Sequence, residues 1–229
     1  MKYKLKISSA ILVFLSVMVM TTGCKKFIGL DRQTDWNFEP HVLDPHINKT
    51  AWEFLKERAL GSTSADTLLK KFYDAIIYSG IDTNLYSQPG HTYIFLHNDA
   101  ITRKSGSSIA TDSYWGYYKV GSPAKAAASW SDYPKDQVKN WLLYLIVNGE
   151  YSFDNVGPVA VEATSLLPAN ADPDNPNSLV YFMVANDRDS RFRINDFIGS
   201  KRVTQARTAG ILSTNGPVHV VDRIVEFNQ

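Results

Sequence analysis

A chain of 229 residues with 44% hydrophobic, 21% charged and 12% aromatic side chains has the composition of a folded globular protein and not of a disordered one. Its 24 basic and 23 acidic residues leave a net charge of +1, which excludes the concentrated basic surface that a nucleic-acid partner needs. A single cysteine excludes a disulfide framework and a cysteine-built metal site.

The chain opens on Lys2, Lys4 and Lys6, followed by an apolar run over residues 11–20 that is broken only by Ser16. Ten residues are too few to span a bilayer core, which takes about 20, and they fit the apolar region of a signal peptide. Thr21-Thr22-Gly23-Cys24 follows and resembles a bacterial lipobox, with Thr21 where the pattern prefers Leu. That resemblance implies removal of residues 1–23 and acylation of Cys24, which has no partner thiol in an exported chain. The alternative is an ordinary secretory signal with an incidental cysteine. The lipid reading puts the protein at the outer membrane of a Gram-negative bacterium, anchored in the bilayer through the Cys24 acyl chains. Residues 24–35 then form a polar tether, and 36–229 a single domain. Lys25 and Lys26 leave open which face of the membrane it occupies.

Trp52, Leu55 and Ala59 recur at helical spacing after Thr50, with Phe54 beside them and Gly61 as a stop. A second helix is expected over 66–79, capped by Asp66 and closed by Gly80, with Leu68, Leu69, Phe72, Tyr73, Ile76 and Ile77 as its apolar rows. Residues 93–96 (YIFL) read as a buried strand. Residues 103–133 are rich in Ser, Gly and Ala, carry several aromatics and show no period. A third helix is expected to start at Pro134, with Val138, Trp141, Leu142, Leu145 and Ile146 on its buried face and Asn148-Gly149 ending it. Strands are expected over 159–166, 179–185, 192–194, around Ile211 and over 218–227, with 168–178 as a turn or hairpin loop. Helices first and strands later argue for an α+β fold.

Three stretches carry a family resemblance. Residues 213–225 (STNGPVHVVDRIV) resemble the closing motif of fasciclin domains, 91–100 (HTYIFLHNDA) their opening motif, and 142–152 (LLYLIVNGEYS) a motif between them. The resemblance spans roughly residues 36–229. It implies a fasciclin-like β-sandwich or wedge with several helices packed at its side, and an insertion at about 103–133. Tyr144, Asn215, Gly216, His219 and Asp222 become structural motif residues. Asn215-Gly216 is a turn pair. Valines alternate on both faces of the strand that follows, which places it between two packed layers. His219 is expected to be a hydrogen-bonded histidine of the core or sheet edge, and Asp222 to cap a helix or accept backbone N–H groups.

No G-x-S-x-G, P-loop or G-x-G-x-x-G signature is present, and His41 and His46 share a Pro-punctuated segment without metal-ligand spacing. The expectation is therefore no enzyme, no cofactor and no metal. The family resemblance implies an extracellular adhesion module with a protein partner. Leu145 stands where the family's adhesive tyrosine–histidine pair has its histidine, so that recognition mode does not transfer through Tyr144. Trp115, Tyr117, Tyr118 and Trp130, in the irregular segment, are the candidate partner-binding residues. Their amphipathic rings suit either a protein or a sugar ring. The alternatives are rings that cover the core under a long loop, glycan capture for an outer-membrane uptake system, or an accessory subunit of a transporter complex.

Overall fold

A computed structural model of the protein describes residues 44–227. The leader, Cys24, the tether, His41 and the first residues of the expected domain lie outside them.

Thr50 starts the first helix, α1 (Ala51–Leu60), by a reciprocal cap: its hydroxyl accepts the Glu53 N–H, and the Glu53 carboxylate accepts the Thr50 N–H. Ala51, Leu55 and Ala59 form its buried stripe. The second helix, α2 (Lys70–Ser79), begins four residues later than periodicity predicts. Residues 64–67 form a 3-10 turn, and the Asp66 carboxylate takes the Thr63 hydroxyl at 2.5 Å instead of capping the long helix. Its buried face is Phe72, Ala75, Ile76 and Ser79, whereas Leu68 and Ile77 of the expected apolar rows are exposed. Gly80 closes it in the left-handed conformation at φ +68°. The third helix, α3 (Lys135–Tyr144), follows Pro134 and stops two residues short of Ile146. Ile146–Asn148 is instead strand β4, because these residues complete the backbone bonding of one edge of β1 (His91–Leu96).

Two strands of two residues, β2 (Lys104–Ser105) and β3 (Ser108–Ile109), pair as a separate small hairpin. The main sheet adds β5 (Val161–Thr164), β6 (Leu179–Val184), β7 (Phe192–Ile194), β8 (Thr204–Ser213) and β9 (Gly216–Val221). Its order is β4-β1-β9-β8-β7-β6-β5, with β1 and β9 parallel and every other pair antiparallel. The two ends of this order meet: Ser165, just past β5, bridges to Val147 of β4, and the Leu166 N–H reaches the Ile146 carbonyl at 2.8 Å. The sheet therefore curls almost into a barrel, and with the helices packed on it the fold is α+β.

All six residues of β9 are buried. In the parallel register Tyr93 and Phe95 sit beside Val218 and Val220, facing Tyr86, Phe72 and Phe54 on the helical side. The alternate residues point into the curl, where the His219 ring meets Phe182 and Phe192. β9 ends at Val221, earlier than the 218–227 run predicts. Ile224 and Val225 stay buried without strand pairing, and the Ile224 N–H goes to the Asp112 carbonyl at 2.9 Å. β8 is ten residues long, where the sequence marks only the run around Ile211. Its first half is polar and part-exposed, and a bulge between Thr208 and Ile211 breaks the alternation that betrays a strand.

Candidate functional site

The motif residues hold the sheet together. Asn215 is buried, and its Oδ1 accepts the Ala51 N–H at 2.8 Å. Its Nδ2 donates to the Tyr93 hydroxyl at 2.8 Å and to the Tyr86 and Gln88 carbonyls at 3.1 Å. Gly216 has φ +141°, and a Cβ there would lie 1.9 Å from the His91 carbonyl oxygen, so only glycine lets β9 approach β1. His219 is fully buried: Nδ1 accepts the Gly210 N–H at 3.2 Å, which leaves Nε2 to donate to the Tyr151 carbonyl at 2.8 Å. Its ring stacks on Phe192 at 4.0 Å. Burial holds this imidazole down at about 4, a neutral ring at physiological pH. Asp222 neither caps a helix nor lies in the apolar interior. It pairs with Arg223 at 2.9 Å and Arg207 at 3.8 Å at the rim of the sheet.

Residues 103–133 carry little regular structure yet are tied down throughout. Asp112 is the knot: it pairs with Arg103 and, at 2.8 Å, with Arg223. A helical turn, Tyr114–Tyr117, then inserts Tyr114 into the core. The rings of Tyr118, Trp130, Tyr133 and Trp141 surround it at centroid distances of 4.3–5.2 Å. The Trp130 indole donates to the Lys71 carbonyl at 3.0 Å, and the Tyr133 hydroxyl to the Tyr118 carbonyl at 2.7 Å.

The four candidate partner-binding residues thus divide. Trp130 is buried at 7% exposure and belongs to the core. Trp115 is half-buried, its ring edge-on to Trp130 and covered by the Lys71 ammonium at 5.3 Å. Tyr117 and Tyr118 line a cavity of about 830 Å³ between the helical turn, α3, the 171–174 loop and the C-terminal segment. Trp141, Tyr144 and Phe227 add rings to its wall, and Gln137 and Asn140 add amides. The Tyr144 hydroxyl is held by the Leu179 carbonyl at 3.2 Å and the Asn195 amide at 2.9 Å.

Three acids, Asp172, Asp174 and Glu226, complete the lining. Glu226 is part-exposed as a residue, but its Oε1 is buried and has no hydrogen-bond partner. Burial pushes its carboxyl up to about 8; the Tyr118 hydroxyl opposes this through a hydrogen bond, the Asp172 carboxylate adds to it and the Arg202 guanidinium opposes it. At neutral pH Glu226 is therefore mostly a neutral acid. Tyr114, Tyr118 and Tyr144 are all raised above the ordinary phenol value, burial being the first cause in each. Sequence reasoning missed Glu226, although a lone carboxylate in the apolar run 224–227 was its visible signal. Asp172 and Asp174 were hidden in a loop read only as a turn. Among the described residues, no group of three or more His, Cys, Asp or Glu side chains could hold a metal ion.

No family model matches the chain, and no curated protein matches it. Among solved structures, the protein is similar to a FAS1 domain pair from the insect cell adhesion molecule fasciclin I. The TM-score is 0.43 at 15% identity, over 69% of this chain and 45% of that one. The match thus spans less than half the length of the insect chain.

Proposed function

We propose that the protein is a non-catalytic binding module of the adhesion type, held at the outer membrane by acyl chains on Cys24, whose aromatic cavity receives a group projecting from a protein partner. The cavity carries this reading. Its wall is preformed, since Tyr114 packs against the Tyr118 and Trp141 rings and the Tyr144 hydroxyl donates to the Leu179 carbonyl, and its volume falls in the range that ligand pockets occupy. No histidine, serine or cysteine is among its lining residues, so it lacks the nucleophile and imidazole base of acyl-transfer chemistry. The fasciclin-like motifs support the reading by their place: Asn215, Gly216 and His219 fasten the strands at the centre of the sheet.

A glycan ligand is the second reading, favoured by the Gln137 and Asn140 amides beside the rings. Cross-linking of the full-length protein in intact membranes separates the two. Tyr117→Ala is expected to cut capture of a protein partner at least tenfold, in line with the roughly 2 kcal/mol of an aromatic anchor. Unchanged capture, or tight binding on a glycan array without a protein partner, would overturn the protein reading. The anchor is tested separately. Cys24→Ser is expected to move the protein from the membrane to the soluble fraction with the leader still cleaved, and continued membrane retention would sink the lipid reading.

A further inference from the structure

We infer that the cavity is selective for an organic cation, an alkylammonium or guanidinium group. The inference rests on the reading of this cavity as a ligand site and adds the chemistry of what enters it.

Three observations point the same way. Every charged side chain in the lining is an acid: Asp172, Asp174 and Glu226 contribute, and no lysine, arginine or histidine does. The remaining wall is dominated by the rings of Tyr117, Tyr118, Trp141, Tyr144 and Phe227, and aromatic faces attract cations and not anions. The Glu226 Oε1 is buried without a partner, an arrangement that folding alone does not favour and that a cation's N–H or positive charge would relieve. The chain's own cations already pair with such rings: Arg202 stacks on Tyr117 at 4.9 Å, at the edge of the cavity, and Lys71 on Trp115 at 5.3 Å. A neutral sugar would meet the amides and rings equally well but would bring no counter-charge to Asp172 and Asp174.

Cation binding has a proton consequence. Glu226 faces Tyr114, Tyr118 and Tyr144 on the helical side, Asp172 from the 171–174 loop and Arg202 from the β7–β8 connection. The tyrosines stay protonated through the physiological range, so Glu226 is the group that titrates there. Its neutral carboxyl releases one proton to solvent as the cation arrives, and the resulting carboxylate pairs with the cation. Affinity therefore rises with pH up to about 8 and levels off above it.

The cation can come from a free small molecule or from a Lys or Arg side chain of a protein partner. Titration calorimetry on the folded, leader-free chain with choline, its neutral isostere 3,3-dimethylbutan-1-ol, a hexose and an arginine-rich peptide distinguishes these. Choline or the peptide is expected to bind at least tenfold more tightly than the isostere. Its affinity is expected to rise about tenfold or more between pH 6 and pH 8, with buffer-dependent heats that report proton release. Binding of choline identifies a small-molecule source, and binding of the peptide alone identifies a partner side chain. Glu226→Gln is expected to abolish proton release. Asp174→Asn, at an exposed position of the 171–174 loop, is expected to weaken the cation several-fold without altering the fold. Measurable binding of choline and its isostere with equal affinity, or preference for the hexose, would overturn the cation assignment while leaving the cavity a ligand site. Binding of none of the four would overturn it as well. Failure of the broader reading is seen elsewhere, as partner capture that Tyr117→Ala leaves unchanged.

Discussion

Asn215 shows how much one side chain fixes. Its amide joins the first turn of α1, the carbonyls that precede β1, and the Tyr93 ring through donors and acceptors that are all used. Asn215→Ala removes these bonds and leaves the Ala51 N–H buried without an acceptor, at a cost of about 3 kcal/mol. For a chain of this size that corresponds to a drop in Tm of roughly 10 °C. Asn215→Asp is expected to fare no better, because it keeps the acceptor but turns a carboxylate toward two carbonyl oxygens. Thermal unfolding of both variants checks this, and a wild-type Tm for Asn215→Ala would show that the contacts across the β8–β9 turn hold without it.

At the level of elements, legibility followed locality. The course of α1 and the Gly80 stop were readable because each depends on neighbours a few residues away, and strand 192–194 stood out as a short apolar run between turn residues although its pairing partners lie in β6 and β8. The end of α3 was not, since Ile146 and Val147 suit either helix or strand and the choice is made by β1, more than 50 residues earlier. Segment 103–133 was the least legible. Its order comes from Tyr114, Trp130, Tyr133 and Trp141 meeting from three elements, a pattern with no period in sequence. The same packing gives the rings of this segment a share in stability. Tyr114→Ala would empty a fully buried site and should cost about 3–5 kcal/mol, whereas Trp115→Ala, half-buried under Lys71, should cost about half as much. Urea unfolding gives the ranking directly. Effects below about 0.5 kcal/mol for both would mean that the segment rides on the surface and does not build the cavity wall.

Over the whole molecule, two buried titratable groups set opposite slopes of stability against pH. His219 lies inside the sheet's curl and Glu226 beside the cavity, so each reports on one half of the fold. For His219 the folded value of about 4 lies below the ordinary 6.5, so the unfolded chain binds the extra proton between them. Its contribution is complete above pH 6.5 and is lost as pH falls toward 4. For Glu226 the folded value of about 8 lies above the ordinary 4.5, so here the folded chain holds the extra proton, and stability falls as pH rises from 4.5 to 8. Between pH 4.5 and 6.5 the two slopes cancel. From pH 6.5 to 8 Glu226 acts alone, and stability should fall by about 2 kcal/mol. Glu226→Gln keeps the shape but cannot ionise, so its stability should be flat from pH 6.5 to 8 and exceed that of the wild type at pH 8. Urea midpoints for both proteins at the two pH values decide it. A wild-type midpoint unchanged across that window would mean that water reaches the Glu226 carboxyl and that the cavity floor is open.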